Sequence, residues 1–450
     1  MLLILALILV AGMGVFLFRL VRDGRQWVSF PANQAVYSDG VLTVGTLTDR
    51  NGTVLAGVSD GQRTYAAYES VRRGCLHVVG DESDNIGTGA LTAFASRLIG
   101  YNLITGTYSL KGEGRSLALS VDADLSAAAL EALEGYRGTV LVCNYKTGEI
   151  LCNVSLPAYD PADPPEDFTD EAYEGVFINR GLSARYTPGS VFKIVTLAAA
   201  IDNIEDLFDR TFTCEGETLI GDDTVTCTGY HGEQTIEEAF ANSCNCVFGQ
   251  LALELGPEVL SRYAQRCGLT EPYFIDGIET ASGSFEQAAP DSADLAWSGI
   301  GQYRDTVVPV EMLRLVCAVA NEGQAPELTL LKRSGVKLFA DVKTQQLLFP
   351  DTARRIGEMM SYNVAYTYGS ENYPGLSLHA KSGTAEVGAD ANPHAWFVGY
   401  IDDADHPLAF VVIAENGGWG SSTAGAIANT VLQAAVGSKK ESAGEDVLSG

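Results

Sequence analysis

The chain is poor in basic residues. Only 29 Lys and Arg stand against 57 Asp and Glu, giving a formal net charge of −28 over 450 residues. Nucleic-acid phosphates demand a basic footprint, so this balance excludes nucleic acid as a partner. Cysteine is sparse too, and nine in a chain of this length do not make a disulfide scaffold. Cys75, Cys143, Cys152, Cys267 and Cys317 lie in apolar surroundings and read as small core residues. Cys214 and Cys227 flank the polar loop "CEGETLIGDDTVTC". They would pair only in an oxidising compartment, and a disulfide and two free thiols stand as equal alternatives. The five histidines, His77, His231, His379, His394 and His406, show no metal-ligand spacing, and there is no H-E-x-x-H. No metal and no other cofactor is expected.

Long apolar runs are missing but for one. Met1 to Phe18, "MLLILALILVAGMGVFLF", carries no charge and is followed by Arg19, Arg22 and Arg25. At about 1.5 Å per residue it spans a bilayer's hydrocarbon layer. Its length, and the want of a small-residue cleavage site, favour an uncleaved anchor over a signal peptide. The trailing arginines would place the rest of the chain in the cytoplasm by the positive-inside rule. With no basic residue ahead of the span, charge alone leaves the sidedness open.

What remains is 46% hydrophobic and 19% charged, enough to bury a sizeable core in two or three domains. Residues 21–118 are short elements broken by Gly, Asp and Ser, with strands expected in "GVLTVGTLTDRNGTVLAG". "VDADLSAAALEALEGY", Val121 to Tyr136, has helical spacing with Asp in its first turn. "GTVLVCNYKTGEILCNVS" reads as a hairpin turning at Lys146–Gly148. Helices are predicted at Ser190–Ile201, Thr235–Leu255, Pro309–Asn321 and Ser422–Val436, and two strands in "AWFVGYIDDADHPLAFVVIAE". Residues 438–450 form a polar tail with the composition of a disordered segment. Strands near both ends with helices between predict an α+β fold, its antiparallel sheet assembled from both parts of the chain and flanked by helices, with a mostly helical subdomain.

Within "TPGSVFKIVTLAAAI", Thr187 to Ile201, Ser190 stands at the entrance of an oily helix and Lys193 one turn inside it. Ser-x-x-Lys alone is ordinary, an N-cap serine followed by a snorkelling lysine. Ser334 and Lys337 repeat the spacing with no helix signal around them. Two further fragments change the balance. "EEAFANSCNCVFGQLA" sets Ser243 and Asn245 at a polar kink, and "LHAKSGTAEVG" sets Lys381, Ser382, Gly383 and Thr384 in a strand. Decoys at Ser83–Asn85 and Lys146–Gly148 fall in the wrong order; the three fragments fall in the right one. Together they are the triple signature of penicillin-binding proteins and class A β-lactamases. Lys193 at i+3 shares a face with Ser190. Desolvation would depress its pKa, so that a neutral amine takes the serine's proton.

From about residue 46 to residue 436 the chain resembles the class B penicillin-binding proteins, membrane-anchored D,D-transpeptidases that cross-link peptidoglycan. "NRGLSARYTPGSVFKIVT", "SGIGQYRDTVVPVEMLRLVCAVANEG" and "KSGTAEV" with "PHAWFVGY" carry the likeness. The resemblance implies an anchor at 1–20, a pedestal at 21–118 and a transpeptidase domain at 119–437, with residues 21–450 outside the cytoplasm. It implies an acyl-enzyme on Ser190, with Ser243 relaying a proton and Asn245 binding the substrate's amide. Lys381 would supply fixed positive charge for a carboxylate. Ser382, Gly383 and Thr384 would line the substrate's path, the N–H groups of Ser190 and Thr384 forming an oxyanion hole. Implied partners are D-Ala-D-Ala stem peptides, β-lactams and a SEDS-type glycan polymerase. The chain departs from the pattern at Tyr303, where small residues are usual, and at Cys244 and Cys246, which bracket Asn245 and read as packing residues. Rival readings are a carboxypeptidase, a β-lactamase, a β-lactam sensor and a catalytically silent scaffold. No Glu-x-x-Leu-Asn loop supports the second, and the further spans and metalloprotease of the third are not seen. All the named residues weigh against the fourth.

Overall fold

A computed structural model of the chain describes residues 2–28, 37–38, 41–100, 114–333, 342–388 and 391–445. It opens with α1, Leu2–Val28. The stretch Leu2–Asp23, of mean hydropathy 2.6, is long and apolar enough to cross a membrane.

The strand-rich stretch that follows is a small sheet of β1 (Thr46–Thr48), β2 (Val54–Ser59), β3 (Gln62–Tyr65) and β4 (Ser116–Ala118). β2 lies antiparallel to both β1 and β3, and β4 runs parallel to β1. Among the described residues this part has no separate core. Leu47, Leu55, Phe94 and Leu98 belong to a cluster that continues through Leu119 and Val121 into the main domain. The buried Asp49 stitches the two, accepting from the N–H groups of Asn51 and Thr53 at 2.8 Å and of Ala123 at 3.1 Å. Ala123 begins α2 (Ala123–Leu133), capped by the Asp122 carboxylate. The predicted hairpin follows as β5 (Gly138–Asn144) and β6 (Ile150–Leu156). Asn144 Oδ1 shapes its turn by accepting from the N–H groups of Lys146 and Thr147.

The helical subdomain lies between the two halves of the main sheet. α3 is Lys193–Asn203. Four short strands follow: β7 (Phe212–Cys214), β8 (Glu217–Ile220), β9 (Asp223–Thr226) and β10 (Gly232–Gln234). β7 pairs with β10 and β8 with β9, each pair antiparallel. Then come α4 (Ile236–Ala241), α5 (Asn245–Leu255), α6 (Pro309–Ala320) and α7 (Pro350–Asn363). Two expectations are corrected here. The helix predicted over Thr235–Leu255 is two, and they part at the predicted polar kink, where Ser243 adopts a left-handed backbone with φ 51°. Ser190 caps nothing: it lies in a 3₁₀ turn, Gly189–Phe192, that feeds α3.

β11 (Leu378–Ala385), β12 (His394–Ile401) and β13 (Leu408–Ala414) complete a five-stranded antiparallel sheet of order β11-β12-β13-β5-β6. Its strands come from both parts of the chain, as predicted. Alternate residues face opposite ways. Val140, Val142, Phe397, Phe410 and Val412 pack with Leu125 and Leu130 of α2 and Val431 and Leu432 of α8 (Ala424–Glu445). Leu141, Val398, Val411 and Ile413 pack toward Leu313 and Val316 of α6. Burial on both faces explains why these strands read as unbroken apolar runs. α8 continues beyond Val436 to Glu445, through much of the stretch predicted to lack structure.

Candidate active site

The predicted residues converge. Ser190 is set at the head of α3 by Gly189, whose φ is +55° and whose Cα lies against β11. A Cβ there would stand 3.0 Å from Thr384 O and from Ala385 Cα. Gly383 answers from the strand, where a Cβ would meet Val191 Cγ1 at 3.0 Å and Pro188 O at 3.2 Å. Two glycines thus let the strand and the serine turn approach more closely than side chains allow.

Lys193 is wholly buried at the first position of α3, one turn past Ser190, and its Nζ is the hub of the cluster. Ser190 Oγ and Ser243 Oγ each lie 3.2 Å away, Asn245 Oδ1 lies at 2.8 Å, and the Ser243 carbonyl is a fourth partner. Asn245 is oriented by Nδ2, which donates to Thr226 O at 2.9 Å, so Oδ1 must face the lysine. Two of the four partners, Asn245 Oδ1 and Ser243 O, can only accept. A neutral amine has two N–H groups for them and one lone pair left for a hydroxyl proton. The shell thus accommodates neutral Lys193 with Ser190 donating to it, as it accommodates the ammonium form donating to Ser190 Oγ. Desolvation favours the neutral form, lowering Lys193 to about 8.

Lys381 is equally buried, and Nζ donates to Ser243 Oγ at 3.0 Å and to Ser382 O at 2.9 Å. Burial, and then the charge of Lys193, push it well below the usual lysine range. Lys381 sits behind the wall of the cleft rather than facing into it, and two neighbouring ammonium groups disfavour each other. The expectation for Asn245 also changes, because its oxygen is engaged by Lys193 and one Nδ2 hydrogen by Thr226.

β11 is an edge strand. The Ser382 N–H points away from β12 and donates to Tyr368 Oη at 2.8 Å, and Tyr368 Oη also lies 3.0 Å from Ser382 Oγ. Strand parity puts the Thr384 N–H on the same open edge. Thr384 O accepts from Gln302 Nε2 at 3.3 Å. Ser190, Ser243, Asn245, Ser382 and Thr384 line one cleft of about 660 Å³. Tyr368, Gln302, Glu386 and Trp419 line it too, and Trp419 is 64% exposed at its mouth. Of these, Gln302 and Glu386 fall within the segments "SGIGQYRDTVVPVEMLRLVCAVANEG" and "KSGTAEV" that carry the family likeness. The decoys lie elsewhere: Ser83–Asn85 and Lys146–Gly148 line no part of this cleft, and Ser334 and Lys337 lie outside the described residues.

Beside the Ser243–Asn245 corner the fold gathers four groups that sequence spacing did not signal. The side-chain donor atoms of Cys214, Cys227, His231 and Cys244 all lie within 4.8 Å of one another. Cys214 and Cys227 are free thiols, so of the two alternatives this structure has the unpaired one. Cys244, expected to pack, faces the other donors.

A serine hydroxyl shared with a buried lysine, beside the open sheet edge that carries the Thr384 N–H, defines an active-serine enzyme of the acyl-transfer class. Residues 138–433 match the penicillin binding protein transpeptidase domain family. The peptidoglycan D,D-transpeptidase PbpA of Mycolicibacterium smegmatis is 28% identical over 373 residues, 76% of this chain and 75% of that protein. Among solved structures, the D,D-transpeptidase domain of peptidoglycan glycosyltransferase from Eggerthella lenta is 26% identical with TM-score 0.72, over 88% of this chain and 98% of that one. The penicillin G acyl-enzyme complex of penicillin-binding protein A from M. tuberculosis is 25% identical with TM-score 0.69, over 88% and 99%. The chain belongs to the penicillin-binding protein transpeptidase family, as a class B member.

Proposed function

We propose that the chain cross-links peptidoglycan through an acyl-enzyme at Ser190, and that β-lactams acylate the same oxygen. The observation that carries this reading is the single Nζ of Lys193 meeting Ser190 Oγ, Ser243 and Asn245 at once. Neutral Lys193 takes the Ser190 proton as Oγ attacks the penultimate D-Ala carbonyl of a stem peptide. The N–H groups of Ser190 and Thr384 receive the developing oxyanion. The C–N bond breaks, and the departing D-Ala amine takes a proton from Lys193 through Ser243. An amine from a second stem then attacks the ester, and Ser190 recovers its proton.

Ser382 and Thr384 hold the donor's terminal carboxylate. Lys381 lies behind them, bonded to Ser243 Oγ and Ser382 O, and an arriving carboxylate favours its charged form. In this reading residues 1–20 anchor the chain with the N-terminus in the cytoplasm, residues 21–118 are a pedestal, and the cleft in residues 119–437 works outside. A SEDS-type glycan polymerase is the membrane partner.

Labelling the full chain in detergent with a fluorescent penicillin tests the assignment. The wild type should carry a stable adduct, with its mass on the peptide containing Ser190, and Ser190→Ala should carry none. Rapid turnover of the penicillin would mean a β-lactamase. Labelling that survives in Ser190→Ala would overturn the nucleophile.

A further inference from the structure

The four donors beside the Ser243–Asn245 corner make a metal site, and we infer that this chain binds one tetrahedral zinc ion through Cys214, Cys227, His231 and Cys244. A tetrahedron with Zn–S bonds of about 2.3 Å has S–S edges of about 3.8 Å, and S–N edges slightly shorter. Cys227 Sγ stands 3.8 Å from Cys244 Sγ and 3.6 Å from His231 Nδ1. Those separations are the edges of such a tetrahedron and far beyond a disulfide's ~2.05 Å. Three thiolates with one imidazole is the closed, soft donor set of a structural zinc site.

The local fold explains what such an ion does. Cys214 ends β7, Cys227 follows β9, His231 precedes β10 and Cys244 follows α4. The two strand pairs are three and four residues long, too short to hold themselves together. The β8–β9 pair also carries little core: Leu219 is exposed and Val225 alone of its residues is buried. One ion would tie both pairs to the end of α4. It would also tie them to the cleft, because Cys244 stands between Ser243 and Asn245. The Asn245 N–H donates to Cys227 Sγ at 3.2 Å, the sort of bond that supports a metal-bound thiolate. The ligands are not catalytic; through Cys244 the ion positions Ser243 and Asn245.

The metal count does not depend on the transpeptidase reading; the effect on the cleft does. Full-length chain purified in detergent under reducing conditions should hold one equivalent of zinc by elemental analysis. Exchange with Co²⁺ should give thiolate-to-cobalt charge transfer and the intense visible bands of tetrahedral cobalt. His231→Ala should lose the ion, and Cys214→Ser should lose it or bind it weakly enough for a mild chelator to strip it. In the wild type, a strong chelator should make three more cysteines reactive to an alkylating reagent. It should also slow penicillin acylation ~100-fold, the cost of shifting a catalytic group by about 1 Å, with zinc restoring the rate. Chain that binds neither zinc nor cobalt would overturn the proposal. So would a Cys227–Cys244 or Cys214–Cys227 disulfide in protein purified without reductant that no metal supply prevents. Zinc bound with acylation unmoved by chelation would refute the link to the cleft.

Discussion

One wall of the cleft is β11, eight residues paired along one side to β12 in unbroken register from Leu378↔Ile401 to Ala385↔His394. The opposite wall is the Ser243–Asn245 corner, where a helix breaks, one serine is left-handed and no ladder runs through. The strand holds Ser382 and Thr384 by backbone bonds repeated along its length, and by close packing of Gly383 against Val191 and Trp396. The corner is held by polar bonds to single groups, Lys193 to Ser243 O and Asn245 Oδ1, Asn245 to Thr226 and to Cys227. A repeated ladder tolerates the loss of one bond. A corner fixed by four separate bonds does not. Both walls meet at Lys193 and Lys381, so chemistry and position are coupled on one side and separable on the other.

Substitutions can probe that contrast. Removing the hub by Lys193→Ala should slow penicillin acylation most, by ~10²–10⁴-fold, the usual worth of a positioned general base. Circular dichroism should show the fold kept. Asn245→Asp keeps the corner's shape but sets a negative charge 2.8 Å from Nζ. An opposite charge favours the ammonium form, so the acylation rate should fall about 10-fold or more near neutral pH and recover at higher pH. A loss of rate equal at every pH would mean that Asn245 acts by shape alone. Gly383→Ala on the strand wall should act as overpacking, destabilising by ~1–3 kcal/mol in thermal unfolding. The pH at which the rate climbs should stay unmoved there, since no bond to Lys193 changes.

The sequence pointed clearly to the strand wall and to the serine turn. "LHAKSGTA" reads as a short strand carrying the Lys-Ser-Gly fragment, and "GSVFKIVTLAAA" puts a lysine where only chemistry or snorkelling would keep it; burial decides for chemistry. The two-ended sheet was legible from the same apolar runs. The corner was legible in its residue types but not in its geometry. Nothing in "ANSCNC" announces that Ser243 is left-handed, because Ser pays for that conformation only through contacts made elsewhere. Nor did it show that Asn245 spends its oxygen on Lys193. Tyr368 and Trp419 were invisible because they reach the cleft from distant segments with no local pattern. The cysteines escaped for the same reason. Cys214, Cys227, His231 and Cys244 stand 13, 4 and 13 positions apart, and no short Cys-x-x-Cys step marks them. Their closeness is a product of β7, β9, β10 and α4 folding together.

The central claim is that buried Lys193 is the neutral base for Ser190, and the pH dependence of wild-type acylation tests it most directly. The lowered pKa of about 8 sets the sign: the competent amine is scarce below it and dominant above it. Stopped-flow acylation by a penicillin should therefore climb about tenfold per pH unit on the acid side and level off above about pH 8. A rate flat from about pH 6 to about pH 10, or one falling as pH rises through that range, would contradict the account.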